Sequence, residues 1–435
     1  MSRLRRLFAE QRTQATFVTL MAVGSAIGLF KNLALAPIVG ARELGYYGVV
    51  LLVAQFGHYA ATWGIINALN VELPLGLGRG EEGLDALTNR VFGAQAIPAL
   101  TMTGIYVLAV VLASPSDRNT EVALLLAAVP VLLTCAFEFY LVVLRARRML
   151  IPLASLFVGR AVLAIGLGLP FGALWGFRGV VAADVVASSL IVAACALVFL
   201  PGVRIWRPRA EEFRHFVRVG FPLIVSAAMI TVSIMIDRMF VATTLPGQFG
   251  QYTFASLVVA TGIVTTGIFK QMVYPKLLFD YGAGMGLPQL RRALRRMVAG
   301  IVVVGAAGTV ALYLLTHVLE HGLFSEYGPG LRLMPILFAG AAISVVGLYE
   351  VILLATRRYY LATGSALVGG VVALAGGFAI SLQGPTLTKF AWLFTISQAA
   401  GTLSIVLASE WAYRRGDREA PRPAGGRVAE HAALR

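Results

Sequence analysis

The chain has 435 residues, 58% of them hydrophobic and only 13% charged. An ordinary soluble domain is nearer a quarter charged, so the composition excludes a water-soluble enzyme and accommodates about a dozen spans of roughly 20 apolar residues each. The net charge of +15 would suit nucleic acid, but the basic residues are placed where membrane orientation needs them, and no nucleic-acid partner is expected.

Residues 1–12 (MSRLRRLFAEQR) are basic, with Leu4, Leu7 and Phe8 at helical spacing, and read as a short interfacial helix. The first span follows at 13–39. Ala34-Leu35-Ala36 mimics a cleavage site, yet the apolar region is too long for a signal peptide, so a retained helix is expected. Further spans are expected at 46–73, 91–113, 122–144, 150–173, 179–200, 217–244, 250–274, 298–319, 333–355, 360–382 and 390–412. Cys135 and Cys195 fall inside apolar runs, which predicts reduced thiols and no disulfide. In GLPQLRRALRRM (286–297), Leu287, Leu290, Leu294 and Met297 share one helical face and Arg291, Arg292, Arg295 and Arg296 the other. That pattern predicts an in-plane helix against anionic headgroups. The tail, 413–435, is rich in Pro, Gly and Arg and reads as disordered.

Twelve spans put both termini on one side. The loops on that side carry 27 Arg and Lys residues and the opposite loops carry 5. This bias predicts cytoplasmic termini in a multi-pass membrane protein.

The two halves repeat. A shift of 205 residues lays Asn32 on Asp237, Gly45 on Gly250 and Tyr47 on Tyr252. A shift of 212 lays Phe137-Glu138 and Arg145 on Tyr349-Glu350 and Arg357. Six spans per half keep the halves in the same orientation, a parallel repeat common among secondary transporters. The expected architecture is therefore an all-α polytopic membrane protein of two six-helix lobes with a polar path through it. The lobes are expected at 13–200 and 219–412, joined by a linker at 201–218.

Four basic residues lie within spans: Lys31, Arg160, Arg238 and Lys270. Charges at such depth cost on the order of 2.5–3.5 kcal/mol by insertion scales and usually face a protein interior or a water-filled cavity. Lys31 and Arg238 occupy the first span of each half, with Asn32 and Asp237 beside them. They read as cavity cations for an anionic cargo, since arginine binds phosphate oxygens in bidentate fashion; intralobe pairing or snorkelling is the alternative. No facing acid is expected beside Lys31 or Arg238. Asp237 suits either a salt bridge with another span or a coupling cation. Lys270, with Gln271 and Tyr274, either receives a headgroup or anchors the span end. Arg160, Asp184 and Glu138 fall in one lobe, where mutual pairing is the default. Glu138 and Glu350 each precede a basic residue by seven positions and read as bracing or gating residues. Pro37 and Pro222 are candidate kinks in the first span of each lobe. The sequence holds no nucleotide-binding loop, metal-ligand cluster or nucleophile–His–acid set, so no cofactor and no catalysis are expected.

Several strings in order carry a family resemblance: LALAPIVGARELGYYGVVLLV (33–53), VGFPLIVS (219–226), IDRMFVA (236–242), GQYTFASLV (250–258), YPKL (274–277) and LFSEYGPGLRLMPIL (323–337). Together they resemble the Wzx-type oligosaccharide flippases of the multidrug/oligosaccharidyl-lipid/polysaccharide exporter superfamily, with Ser325 in place of the usual small residue before the glutamate. The resemblance implies two six-helix lobes around a central cavity that opens alternately to either side of a bacterial inner membrane. It also implies a polyprenyl-diphosphate-linked glycan as cargo and other polysaccharide-assembly membrane proteins as partners, with membrane lipids around the spans. Coupling to protons or sodium is left open. The alternatives are a cation-coupled drug exporter of the multidrug and toxin extrusion branch, which should favour acidic cavity residues, and a membrane glycan polymerase or ligase, which should carry a large outer loop.

Overall fold

The computed structural model describes the backbone of residues 2–115, 117–319 and 324–419, and side chains outside 1–12, 14, 261–273, 275, 304, 312, 315, 317–319, 325 and 416–419. All regular structure among these residues is helical: α1 Ser2–Thr62, α2 Ile65–Arg79, α3 Leu84–Ala113, α4 Arg118–Ala146, α5 Leu150–Ala194, α6 Ala210–Thr244, α7 Phe249–Gly282, α8 Leu287–Leu319, α9 Gly328–Leu331, α10 Met334–Ser344, α11 Glu350–Ala355, α12 Tyr359–Leu382 and α13 Leu387–Glu419. A straight helix of 61 residues would measure roughly 90 Å, three times the hydrocarbon core, so α1 must turn back. It does so at Gly40, whose φ of 76° is open to glycine at little cost. α5 turns in the same way at Gly176, φ 58°. Each therefore supplies two spans, and the spans read from the sequence all appear as helix.

Boundaries differ in instructive places. The first span ends at Gly40, beside its expected end at 39, and the candidate kink Pro37 stays inside the helix. The second span is discontinuous. It breaks at Trp63 and Gly64, both left-handed, and resumes as α2, capped at Gly80. Discontinuous spans are tolerated where protein buries the freed backbone, and here Gly220 of α6 sits against the break: a Cβ on Gly64 would lie 2.2 Å from its carbonyl oxygen. The in-plane helix expected at 286–297 is instead the first three turns of α8, continuous with the ninth span. Leu290 and Leu294 are fully buried there, and Arg291 pairs with Glu410 of α13 and stacks on Tyr413. An ion pair and a core contact within the protein hold this segment upright. α13 continues through the start of the expected tail to Glu419; the remainder, like the side chains of the basic N-terminal segment, lies outside the described residues.

α1 packs on α4 and α5, and α6 on α12 and α13. The two groups meet where α1 and α2 lie against α7, and α2 against α6. The loops at 80–83, 145–149, 201–209, 283–286 and 356–358 share what we term the basic face. On the opposite face, Tyr47, Tyr252, Phe254 and Tyr327 join both groups in one apolar cluster, and Tyr327 donates to the Ala36 carbonyl at 2.8 Å. Towards the basic face, Val71 and Leu75 of α2 enter a cluster with Leu277, Leu278 and Leu348. Lipid tails are as apolar as leucine, so close backbone approach matters more here than area buried. Gly45 and Gly250, matched by the sequence repeat, meet across the interface: a Cβ on Gly250 would fall 1.9 Å from the Ala41 carbonyl oxygen. Large side chains such as Leu112, Leu197, Val198 and Leu382 remain exposed on the outside, as a surface solvated by lipid requires.

Candidate functional site

The turns at Gly40 and Gly176 build the site. The first folds Tyr47 back beside Lys31; the second brings Asp184 to both. Glu43 ties the two turns together by accepting from the Phe177 N–H at 3.0 Å. Lys31 Nζ then lies 2.7 Å from Asp184 Oδ1 and 3.3 Å from Tyr47 Oη, and Tyr47 donates to Asp184 Oδ2 at 2.6 Å. The three side chains close a small network at the wall of a cavity of about 370 Å³, which Asn32, Arg160, Phe157 and, from α7, Leu257 also line. Asn32 reaches across to the Leu257 carbonyl at 3.4 Å.

Lys31 thus has a facing acid, contrary to expectation, and it comes from its own lobe, 153 positions along the chain. Asp184 takes Lys31 rather than Arg160. The Arg160 guanidinium lies over the Phe137 ring at 5.3 Å and has no ion pair among the described residues. Among the described lining residues, two cations share one carboxylate, which leaves one uncompensated positive charge, on Arg160.

The other candidates are dispersed. Arg238 does not line this cavity; it is half-buried, and its Nε has no partner among the described residues. Asp237 is 2% exposed and accepts from Tyr252, while its Oδ1 has no such partner. Tyr47 and Tyr252, repeat mates, therefore each donate to an aspartate in their own lobe. Glu138 pairs with Arg145 at 3.3 Å, as its spacing suggested. Glu350 does not repeat that pair. It accepts from Ser226 and Tyr274 at 3.5 Å each, and Arg357 turns instead to Glu72 of α2 at 3.1 Å. Arg357 lies beyond the end of α11 with φ 57°, whereas Arg145 lies within α4, so equal spacing along the chain does not bring Arg357 back to Glu350. The side chains of Lys270 and Gln271 lie outside the described residues. Tyr47 and Glu43 were not singled out as site residues by the sequence, although the repeat relation of Tyr47 to Tyr252 was a usable signal.

No protein-family model matches the chain, and no curated protein does. Solved structures do. A MATE protein in complex with MaL6 superimposes with a TM-score of 0.73 at 15% identity, covering 93% of this chain and 96% of that one. The outward-facing conformation of a multidrug resistance MATE family transporter of the MOP superfamily gives 0.71 at 17% identity, covering 94% and 97%. The fold is that of the MATE transporters. A Vibrio cholerae MATE transporter, VcmN in its bent form, also matches, with a TM-score of 0.64 at 14% identity over 94% of this chain and 99% of that one. Within the MATE fold, this chain places a lysine–aspartate–tyrosine network and a second, acid-free cation at the wall of the cavity. Such a wall favours an anion or a zwitterion over a simple cation, because a bare guanidinium repels positive charge and forms strong hydrogen bonds with phosphate oxygens.

Proposed function

We propose that the protein is a flippase that moves a polyprenyl-diphosphate-linked oligosaccharide from the inner to the outer leaflet of the cytoplasmic membrane by alternating access, for surface polysaccharide assembly. The observation that carries this reading is the surplus positive charge among the described lining residues of the cavity, held on Arg160 above the Phe137 ring. A diphosphate supplies the matching charge, and the apolar wall formed by Met21, Phe157 and Ala164 suits the adjoining lipid. A volume of about 370 Å³ is in the range of small-molecule sites, so a longer glycan requires the lobes to part. The basic face is assigned to the cytoplasm on the 27-to-5 bias of the loops. Catalysis has no part in this proposal.

The second reading is a cation-coupled exporter of drugs. It is favoured by Asp184, a carboxylate at the cavity wall, and by the likeness in fold to a multidrug resistance MATE family transporter. The two separate in reconstituted vesicles. A flippase exposes a fluorescent polyprenyl-diphosphate glycan to an impermeant reagent on the opposite leaflet and leaves a cationic dye untouched. Deletion of the gene should accumulate the lipid-linked glycan on the inner leaflet. Dye export without glycan movement would establish the second reading.

A further inference from the structure

Two arginines on the basic face break a backbone rule. Arg148, after α4, and Arg357, after α11, have φ values of 58° and 57°. Each ends its helix in the same way. The N–H one residue beyond the arginine returns to a carbonyl five residues earlier: Met149 to Leu144 at 2.9 Å, and Arg358 to Leu353 at 2.8 Å. This is the left-handed helix terminus that glycine ordinarily fills, because a Cβ there crowds the carbonyl. An arginine at both places is explained by what its side chain reaches.

Each side chain crosses to the other lobe. Arg148 lies 3.3 Å from Asp280 at the end of α7 and stacks on Phe279 at 3.9 Å. Arg357 lies 3.1 Å from Glu72 of α2, whose other oxygen accepts from Tyr359 at 3.3 Å. The two pairs are related by the internal repeat. Arg148 and Arg357 are 209 positions apart, and Glu72 and Asp280 are 208 apart. The turns therefore superpose at a shift of 209, not at the 212 read from Arg145 and Arg357. Between the pairs, α2 and α7 come close enough that a Cβ on Gly78 would lie 2.9 Å from the Phe279 carbonyl oxygen.

We propose that Arg148–Asp280 and Arg357–Glu72 form a reciprocal double latch that holds the two lobes together at the basic face, and that both pairs must break for the cavity to open there. Each lobe contributes one arginine and one acid, so a single rigid-body parting of the lobes separates both pairs at once. The pairs are partly exposed, with side-chain exposures of 45% and 27% in one and 49% and 22% in the other. Partly exposed pairs are weak, which suits a latch that opens in each cycle. The latch rests on the alternating-access part of the proposed function and is independent of the cargo.

The test uses the full-length protein in nanodiscs without substrate. Spin labels on Ile151→Cys and Gln289→Cys, one in each lobe near the basic face, report the separation by electron–electron double resonance. Cys135 and Cys195 are free and buried and stay in place. Arg148→Gly and Arg357→Gly remove the latch side chains while relieving the backbone, so neither should harm folding. Each should raise the ratio of long to short distances by about twofold to fivefold, and the double variant should multiply the two effects. The exchange Glu72→Arg with Arg357→Glu should return that pair to the parent distribution. A double glycine variant with the parent distance distribution overturns the latch. So does an exchanged pair that folds and stays as open as Arg357→Gly. Because no cargo is present, either failure leaves the glycan reading standing.

Discussion

Removing the Lys31 ammonium reads the cavity wall most clearly. The Lys31 and Asp184 side chains are 10% and 22% exposed and 2.7 Å apart. In Lys31→Met, Asp184 keeps the Tyr47 hydroxyl but loses its counter-charge. In Asp184→Leu, the ammonium keeps only Tyr47 at 3.3 Å. Breaking one side of a buried pair costs roughly 3–5 kcal/mol, because the other charge is left uncompensated. The residual exposure of Asp184 and its tyrosine bond lower this to about 2–3 kcal/mol for Lys31→Met, with Asp184→Leu near the upper end. The double variant, which leaves neither charge, should lie within about 1 kcal/mol of the parent, a coupling of at least ~4 kcal/mol. The assay is equilibrium unfolding in mixed micelles of increasing denaturing detergent, followed by tryptophan fluorescence, for the parent, both single variants and the double. Strictly additive losses, or a double variant no more stable than either single, would refute the pairing argument.

Other consequences are simpler to read. Gly64→Ala and Gly220→Ala each drive a Cβ to within 2.2 Å of the opposing backbone carbonyl; each should cost about 1–3 kcal/mol or more, seen as a loss of monodisperse protein on size exclusion, with normal profiles counting against the contact. Asp117 caps α4 on the opposite face by accepting from the Thr120 hydroxyl and from the Thr120 and Asn119 N–H groups. The Thr120 hydroxyl bond, with the backbone N–H bonds, holds its carboxyl below the usual range. Its contribution is therefore fully present above the unfolded-state value and is lost as pH falls through the lower folded value. Amide exchange at 119–121 should quicken over that acid window in the parent and be insensitive to it in Asp117→Asn. Reporter fusions at Arg414 and at Asp117 should report opposite sides of the membrane; the same side for both would contradict a twelve-span chain.

Much of the fold was legible because length and apolarity alone identify a span, and because loop charge is free to follow orientation. The repeat was legible at Gly45 and Gly250, which meet across the interface. Helix ends were harder. The ends at Gly40 and Gly176 were legible, since Arg42-Glu43 and Arg178 follow them, but α8 extends through charged turns because Glu410, 119 positions away, takes up Arg291. A helix that is apolar all round shows no face, so the sequence could not say that Lys31 looks at Asp184 and Arg160 does not. The latch was hidden for another reason. Only the backbone reveals that Arg148, and not Arg145, is the mate of Arg357; Arg145 turns inward to Glu138.

The central claim is that an anionic headgroup binds at Arg160. It is tested most directly by calorimetric binding of a short-chain polyprenyl-diphosphate glycan to the purified protein, to Arg160→Gln and to Lys31→Met. A charge-assisted contact with phosphate is worth about 1.5–3 kcal/mol, so Arg160→Gln should weaken binding by roughly tenfold to a hundredfold. Lys31→Met should weaken it as well, because the Asp184 carboxylate it leaves unpaired cancels the surplus charge, whereas adding Asp184→Leu to it should restore most of the affinity. Parent-like glycan affinity in Arg160→Gln, together with a cationic ligand whose binding is lost in Asp184→Asn, would contradict the account.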